Sequence, residues 1–450
     1  MSRSRALAIG LLVAIVVIIF TLWSRHVERP VWYGVVLLAY LVGRTLLSML
    51  NRPITAASRG SGRAPEMGHL TVSVVVPFYN EDPGSLRACL DSLLAQSRRP
   101  QQVVVVDDGS PDPAAYDVAV GLQARASELG IDLVALRSPV NRGKREGLLT
   151  GVDASPAAKI IVGVDSDTVL DPDALLHGLQ AFADRRVEAV TGLVLVANHR
   201  RNLLTRLTDL RYANAFLVDR GAQSTLGSVL CVCGSLAFYR RGVIEDNRDD
   251  FAHQTFLGRP AVAGDDRRLT NYALRRGKVV SQHNAVAWTL APERLPHFLR
   301  QQVRWNRSFV RESIWAVQHL GPRRPAFWFS AMELTSWIMF TVTLWLALVI
   351  RPVLSAEFIF TTYLLYSVLL AYARSVRYLE VTRRHVGRWE RWGVLAIAPL
   401  YALLSIVMLL VVRVWALSTL RNSRWGTRTH VEVLAADDMA THGQPAEARS

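Results

Sequence analysis

Five short apolar runs, rich in β-branched residues, constrain the fold of this 450-residue chain more than any other feature. They lie within residues 71–81, 101–110, 131–141, 158–168 and 187–198. Helix-like segments separate several of them, for example residues 84–97 and 173–184. Apolar strands that alternate with helices are typical of a mostly parallel sheet with helices on both faces. We therefore predict an α/β domain over residues 71–290.

Apolar tracts on either side of this domain predict an α-helical transmembrane region. Residues 6–23 and 31–50 are apolar, and the first tract lacks the small-x-small cleavage site of a secretory signal. We expect a transmembrane hairpin within residues 1–50, with the N-terminus inside. Residues 51–70 form a linker that contains Arg52, Arg59 and Arg63, which favours the cytosolic side.

The C-terminal transmembrane region is predicted over residues 326–420. Its apolar tracts are 326–350, 356–373 and 393–417. Five simple spans would place the C-terminus outside, whereas Arg421, Arg424 and Arg428 favour the inside. Two alternatives reconcile these signals: one tract is re-entrant, or residues 393–417 form a hairpin bent at Pro399.

An amphipathic segment, residues 291–325, connects the domain to this region. Arg300, Arg304, Arg307 and Arg311 follow helical spacing and form one stripe. A helix of this kind lies in the membrane interface with its arginines at the lipid headgroups. Membrane lipid is therefore an expected partner.

The formal net charge of +15 comes almost entirely from arginine. Such an excess is compatible with nucleic acid, anionic lipid or an anionic small molecule. No nucleic-acid-binding module is visible, and the positive-inside bias accounts for most of the charge, so we expect no nucleic-acid partner. The three cysteines form no disulfide pattern, which favours a reducing, cytosolic environment for the domain.

Polar residues follow three of the predicted strands. They include Tyr79 and Glu81 after the first, Asp107 and Asp108 after the second, and Asp165 and Asp167 after the fourth. Ligands of parallel α/β sheets bind beyond the carboxyl ends of the strands, so we expect one acidic pocket. Asp165 and Asp167 supply the hard oxygen ligands that suit Mg²⁺ or Mn²⁺ together with a substrate diphosphate. The alternative for this pair is a loop cap.

Four further motifs each have a structural alternative. Asp108 would hydrogen-bond a nucleobase or ribose, or belong to a turn. Tyr79 would stack on a base or pack in the core, and Lys144 would contact a nucleotide or start a helix at the surface. Gln301, Arg304 and Trp305 would brace a leaving group and a sugar, or belong to an interfacial helix.

The ordered motifs VPFYNE, DDGS, NRGKR, DSDT, GDDR and QQVRW, within residues 71–308, resemble the membrane-embedded processive family-2 glycosyltransferases, which include cellulose, chitin and hyaluronan synthases. The segments 254–274, 301–314 and 425–428 look most like class I hyaluronan synthases. Rhizobial chitin-oligosaccharide synthases share the DSDT and QQ-RW-RS patterns but have Glu-Asp in place of Asp265-Asp266. The loop Cys233-Gly234-Ser235-Leu236 departs from the hyaluronan synthase pattern, at the position that resembles the loop contacting the acceptor sugar.

The resemblance implies a GT-A domain embedded in transmembrane helices, with roles for individual residues. Tyr79, Glu81, Asp108 and Lys144 would hold uridine, and Asp165 and Asp167 would hold the diphosphate through Mg²⁺ or Mn²⁺. Asp266 would be the general base, and Gln301, Arg304 and Trp305 would flank the acceptor and the leaving group. Cys233, Gly234 and Ser235 would contact the acceptor sugar, and Trp425 and Arg428, in the cytosolic tail 421–450, would belong to a gating loop. Asp265 would be a helix N-cap or an arginine partner.

The implied activity is inverting, processive polymerisation of UDP-glucuronate and UDP-N-acetylglucosamine, with export of the nascent polysaccharide through the enzyme's own spans. The expected location is the plasma membrane, multi-pass, with a cytosolic catalytic domain. A chitin or N-acetylglucosamine oligomer synthase, or another β-glycan synthase, is the alternative. The intact acids at 165, 167 and 266 disfavour a non-enzymatic scaffold.

Overall fold

A computed structural model of the chain describes residues 32–55, 70–350, 353, 360–381, 383 and 387–421. Within them, ten strands form one eight-stranded sheet and one two-stranded hairpin. The strands are β1 (Val72–Phe78), β2 (Gln102–Asp107), β3 (Asp132–Arg137), β4 (Ile160–Gly163), β5 (Thr168–Leu170), β6 (Val187–Val196), β7 (Ala237–Arg240), β8 (Thr255–Phe256), β9 (Arg259–Pro260) and β10 (Lys278–Thr289). All five runs predicted as strands are strands.

The large sheet has the strand order β3-β2-β1-β4-β7-β6-β10-β5. Strand β1 pairs in parallel with β2 and β4, β2 pairs in parallel with β3, and β10 pairs in parallel with β6. Only β7 and β5 run against their neighbours in this sheet. The prediction of a mostly parallel sheet is confirmed.

Helices surround this sheet and extend beyond it. They are α1 (Trp32–Met49), α2 (Pro83–Leu94), α3 (Ala114–Gly121), α4 (Gln123–Glu128), α5 (Lys144–Asp153), α6 (Ala174–Gln180), α7 (Leu203–Ala213), α8 (Gly221–Thr225), α9 (Arg241–Glu245), α10 (Arg248–Ala252), α11 (Asp265–Arg276), α12 (Leu295–His319), α13 (Pro325–Trp345), α14 (Phe360–Ser375), α15 (Arg388–Ala396), α16 (Ala398–Val407) and α17 (Arg413–Ser418). A π-helical turn, Asn214–Arg220, joins α7 to α8.

Both faces of the sheet are covered, as the continuous apolar strands predict. Side chains of a strand alternate between the two faces. In β1, Val74 and Val76 belong to a hydrophobic core that also includes Leu90 of α2, whereas Val75 belongs to a second core with Leu149 of α5. The buried strands therefore hold their carboxyl ends in a fixed arrangement, and those ends carry the candidate site.

Half-buried ion pairs connect the outlying helices to the domain. Arg44 of α1 lies 2.7 Å from Glu333 of α13 and 3.3 Å from Asp219 of the π-helical turn. Arg374 of α14 lies 2.5 Å from the same aspartate. These pairs fix three helices around one edge of the candidate site.

The described residues include part of the predicted membrane region. Among the described residues, one helical stretch, Arg388–Ser418, is long and apolar enough to cross a membrane, by length and composition. It includes the tract 393–417 as a single interrupted helix with a turn at Ile397, two residues before Pro399. The first predicted span, residues 6–23, and most of the linker 51–70 lie outside the described residues.

Candidate active site

A cavity of about 990 Å³ lies at the carboxyl ends of β1, β2 and β4. All of the predicted site residues that the structure describes line it. They are Tyr79, Glu81, Asp108, Lys144, Asp165, Asp167, Cys233, Gly234, Ser235, Asp266, Gln301, Arg304 and Trp305. Trp425 and Arg428 lie outside the described residues, so their predicted gating role stays a prediction.

Asp108 shapes the wall of the cavity by holding the loop that follows β3. Its two carboxylate oxygens accept hydrogen bonds from the backbone N–H groups of Arg142, at 2.9 Å, and Gly143, at 2.6 Å. Burial raises the pKa of Asp108, although these two N–H groups oppose the shift. The carboxylate thereby positions the start of α5, where Lys144 is the first helical residue.

Glu81 occupies a similar position after β1. Its side chain is buried, and it accepts hydrogen bonds from the Ser166 hydroxyl at 2.6 Å and from the Asp82 backbone N–H at 3.1 Å. Ser166 lies between the two acids after β4, so Glu81 connects the β1 and β4 loops. Tyr79, two residues before it, is half-buried and lines the cavity.

Asp165 is the centre of a polar contact set. The Lys144 ammonium group contacts Oδ1 of Asp165, and the Ser235 hydroxyl donates to Oδ2 at 3.0 Å. Burial would lower the pKa of Lys144, but the carboxylates of Asp165, Asp265 and Asp266 together outweigh it, so this pKa is raised and the amine stays charged. A Cβ atom at Gly234 would lie 3.2 Å from Nζ of Lys144, so only a glycine leaves this pair uncrowded.

The carboxylate oxygens of Asp165 and Asp167 are suitable ligands for a hard divalent cation. Both carboxylates line the cavity, and no group of three or more metal-ligating side chains occurs in the described part of the chain. Mg²⁺ typically uses one or two protein carboxylates and takes its other ligands from water and substrate phosphates. The two residues therefore suit an ion that arrives with a diphosphate.

The two acids of α11 have different surroundings. Asp265 is buried, is the first residue of the helix, and accepts two hydrogen bonds from Arg145, of 2.6 and 2.9 Å. The N-cap is Gly264, at a φ of 98°, so the N-cap prediction for Asp265 is wrong and the arginine-partner alternative is confirmed. A side chain at Gly264 would require a strained left-handed backbone.

Asp266 is half-buried and lines the cavity. Its Oδ1 accepts from the backbone N–H of Arg267 at 2.8 Å, and the Cys231 thiol donates to Oδ2 at 3.4 Å. Burial, with Asp266 adding to it, raises the pKa of Cys231 to about 12, so the thiol stays protonated at neutral pH and can donate this hydrogen bond. Asp266 thus has free access to the cavity and a defined orientation.

Helix α12 carries Gln301, Arg304 and Trp305 along the opposite wall. The indole of Trp305 lies 6.2 Å from the ring of Tyr212 and 5.6 Å from the Arg211 guanidinium. Arg211 also donates to Oε1 of Gln302. The predicted interfacial arginine stripe is wrong for Arg311, which is buried and donates to Glu312 at 2.9 Å.

Sequence reasoning missed several residues that line the cavity. Arg211 and Tyr212 lie in helix α7, outside every motif identified in the sequence, and Trp337 lies in the apolar tract 326–350. The only signal in α7 was the Arg-Tyr pair itself. No motif lies beside this pair in the sequence, so it could not be connected to Trp305.

Comparisons with known proteins assign this site to a family. Residues 69–308 match the family described as glycosyltransferase like family 2. The chain belongs to this glycosyltransferase family. It is a UDP-sugar-dependent glycosyltransferase, and enzymes of this family typically use a divalent metal ion.

Two groups of relatives are similar to this glycosyltransferase. The hyaluronan synthase of Streptococcus pyogenes is 36% identical over 401 residues, which cover 89% of this chain and 91% of that protein. The N-acetylglucosaminyltransferase of Mesorhizobium japonicum is 32% identical over 80% of this chain and 82% of its own length. That of Azorhizobium caulinodans is 37% identical over 55% of this chain and 62% of its own length. The resemblance inferred from the motifs is confirmed.

Proposed function

We propose that this enzyme is a membrane-embedded, inverting and processive hyaluronan synthase that uses UDP-glucuronate and UDP-N-acetylglucosamine and exports the polymer. One observation carries this proposal: the similarity to the streptococcal synthase covers the outlying helices as well as the α/β domain. The cavity also extends from the acids into those helices. A single enzyme would therefore both form the glycosidic bond and guide its product.

The donor half of the site is the group at the ends of β1, β2 and β4. Tyr79, Glu81, Asp108 and Lys144 would hold the uridine end, and Asp165 and Asp167 would hold a Mg²⁺ or Mn²⁺ ion. That ion would neutralise charge on the diphosphate leaving group. Lys144, already beside Asp165, would add a second positive charge at the same place.

The acceptor half of the site centres on Asp266. Inverting transfer needs one base to deprotonate the attacking hydroxyl, and it needs no enzyme nucleophile. Asp266 reaches the cavity, while its neighbour Asp265 is engaged by Arg145. We assign Asp266 as this base, with Gln301, Arg304 and Trp305 flanking the acceptor and the loop Cys233-Gly234-Ser235 contacting it.

The far end of the cavity suits a sugar polymer. Its lining includes Tyr40 of α1, Trp337 and Phe340 of α13, and Ser405 of α16. Aromatic rings give apolar faces on which sugar rings pack, and hydroxyl groups satisfy sugar hydroxyls. We therefore propose that the polymer passes between these helices, in a multi-pass membrane location.

An N-acetylglucosamine oligomer synthase is the second candidate, because two of the relatives are N-acetylglucosaminyltransferases. UDP release by the detergent-purified enzyme with Mg²⁺ separates the two. We expect sustained release only when both UDP-glucuronate and UDP-N-acetylglucosamine are present. Sustained release and polymer formation with UDP-N-acetylglucosamine alone would overturn the first proposal in favour of the second.

A further inference from the structure

A buried charge network lies directly behind the cavity, at the junction of α5, α11 and α12. Its members are Arg145, Gln254, Asp265, Arg268, Arg311 and Glu312, and each is at most 9% exposed. None of the six except Asp265 is among the residues that line the cavity in the described part of the chain. Apart from Asp265, the network therefore has no direct contact with the space that a substrate would fill.

Two acids organise the network. Arg145 donates twice to Oδ1 of Asp265, at 2.6 and 2.9 Å, and once to Gln254, at 3.0 Å. Gln254 in turn donates to Oε1 of Glu312 at 2.6 Å. Arg145 and Gln254 are each fixed by two partners, and Asp265 is held by both bonds from Arg145, so the start of α5 is joined to the start of α11.

Glu312 of α12 joins the third element. Its Oε1 accepts from Arg311 at 2.9 Å, and its Oε2 lies 2.8 Å from Nε of Arg268 in α11. The backbone carbonyl of Glu312 also accepts from Asn271 at 3.1 Å. The ion pair between Arg268 and Glu312 thus holds α12 against the first turn of α11.

Stability is a weak explanation for such a network. Buried ion pairs are costly to desolvate, and apolar replacements of similar volume are often neutral or stabilising. Helix α11 is already anchored by Leu269, Tyr272 and Leu274 in the second core. What the charged groups add is a fixed direction for the first turn of α11, where Asp266 lies.

Adjacent residues in the sequence connect the network to both halves of the site. Lys144 contacts Asp165, and the next residue, Arg145, binds Asp265. Asp265 is in turn followed by Asp266, whose side chain faces the cavity. Two consecutive residues of α5 therefore contact the two halves of the site: Lys144 contacts Asp165, and Arg145 contacts the residue before the candidate base.

We propose that Arg145 is a positioning residue for the transfer reaction: through Asp265, and supported by Glu312, it holds Asp266 in register with the donor site. This inference rests on the proposed role of Asp266 as the base. The network supports that role by fixing the residue before the base from the side away from the cavity. Loss of the network would misplace Asp266 without removing any group that binds UDP.

The test compares Arg145→Gln, Asp265→Asn and the double variant with the intact enzyme. We expect each single change to lower kcat for UDP release about 100-fold, as a misplacement of about 1 Å does. The Kd of UDP with Mg²⁺, measured by calorimetry, should stay unchanged. The double variant should be no slower than either single variant, because the two residues act as one unit. Arg145→Lys keeps the charge but not both bonds, so its kcat should be intermediate.

Arg248→Gln is the matched control. Arg248 forms a bidentate pair with Asp153, at 2.6 and 2.7 Å, on the exposed surface, and neither residue lines the cavity. This variant should keep the kcat of the intact enzyme. A kcat for Arg145→Gln and Asp265→Asn equal to that of the control would overturn the proposal. So would a parallel loss of kcat, UDP affinity and Tm, which indicates a structural role only.

Asp266→Asn in the same assay separates this proposal from the one on which it rests. If Asp266→Asn keeps its kcat, the base assignment fails. If Asp266→Asn is inactive while Asp265→Asn has normal kcat, only the positioning role fails. Asp265→Asn preserves the shape of the side chain, so it serves as the test if Arg145→Gln does not fold.

Discussion

The ammonium group of Lys144 contacts the carboxylate of Asp165, which places the first residue of α5 against the loop that follows β4. The two residues are 21 positions apart in the sequence. Their contact brings a positive charge to the acids that are proposed to receive the diphosphate. It makes the donor half of the site less repulsive to an anionic ligand than its carboxylates alone would be.

Removal of this charge should weaken nucleotide binding. Lys144→Met should raise the Kd of UDP about 10- to 100-fold, since a hydrogen bond to a charged group is worth about 1.5–3 kcal/mol. Isothermal titration with Mg²⁺ present measures this. Lys159→Met, at an exposed lysine outside the cavity, is the control. Equal affinities of the two variants would contradict the assigned role of Lys144.

Substitutions of Asp266 and Asp167 should affect different steps, transfer for the first and UDP binding for the second. Asp266→Asn removes the proposed base, so we expect transfer to fall by at least about 100-fold while UDP binding is retained. Asp167→Asn removes a proposed metal ligand, so we expect weaker metal-dependent UDP binding. Calorimetry and UDP-release rates on both variants provide the comparison. If both variants bind UDP equally poorly, the division between the two acids is wrong.

The buried thiols should resist alkylation in the folded enzyme. Burial raises the pKa of Cys89, and burial together with Asp266 raises that of Cys231 to about 12. Because the thiolate is the reactive form, reactivity appears only as the pH approaches these raised values. Iodoacetamide at about pH 8 should leave both thiols unmodified until the protein is denatured, as read by mass spectrometry.

Val140→Cys supplies a positive control for that labelling, because Val140 is 55% exposed in the loop before α5. The new thiol should label quickly under the same conditions. Labelling of Cys231 in the folded protein at a similar rate would show that its surroundings are open to solvent.

Gly264 should be harder to replace than another glycine with positive φ. Gly264→Ala forces a left-handed backbone and places Cβ 2.2 Å from Oγ of Ser308 and 2.9 Å from Nη2 of Arg311. Gly258, in the β8–β9 hairpin, has a φ of 76° but no neighbour within 4 Å of an added Cβ. Gly258→Ala should cost about 1 kcal/mol, and Gly264→Ala about 2–3 kcal/mol more. Thermal unfolding measures the difference, and equal losses would argue against close packing of α11 on α12.

The donor half of the fold and site was predictable from the sequence for a physical reason. Strands such as β1, β2 and β4 are buried on both faces, so their apolar runs are continuous and easy to recognise. Because neighbouring parallel strands end at the same edge, Glu81, Asp108 and Asp165 could be placed together without knowledge of the intervening helices.

The acceptor half of the fold and site was harder to predict from the sequence. The antiparallel strand β7 and the hairpin of β8 and β9 are too short to show a periodic pattern. The partner of Asp265 is Arg145, 120 positions away, and no local pattern selects it over the adjacent Arg267 and Arg268. Likewise, the contact between Tyr212 and Trp305 depends on helix packing, which sequence spacing does not encode.

The composition of the product tests the central claim most directly. The purified enzyme is incubated with Mg²⁺ and both radiolabelled UDP-sugars, and the polymer is digested with hyaluronidase. We expect a high-molecular-weight product that is fully degraded to fragments with equal amounts of glucuronate and N-acetylglucosamine. A hyaluronidase-resistant product that contains N-acetylglucosamine alone would contradict the assignment as a hyaluronan synthase.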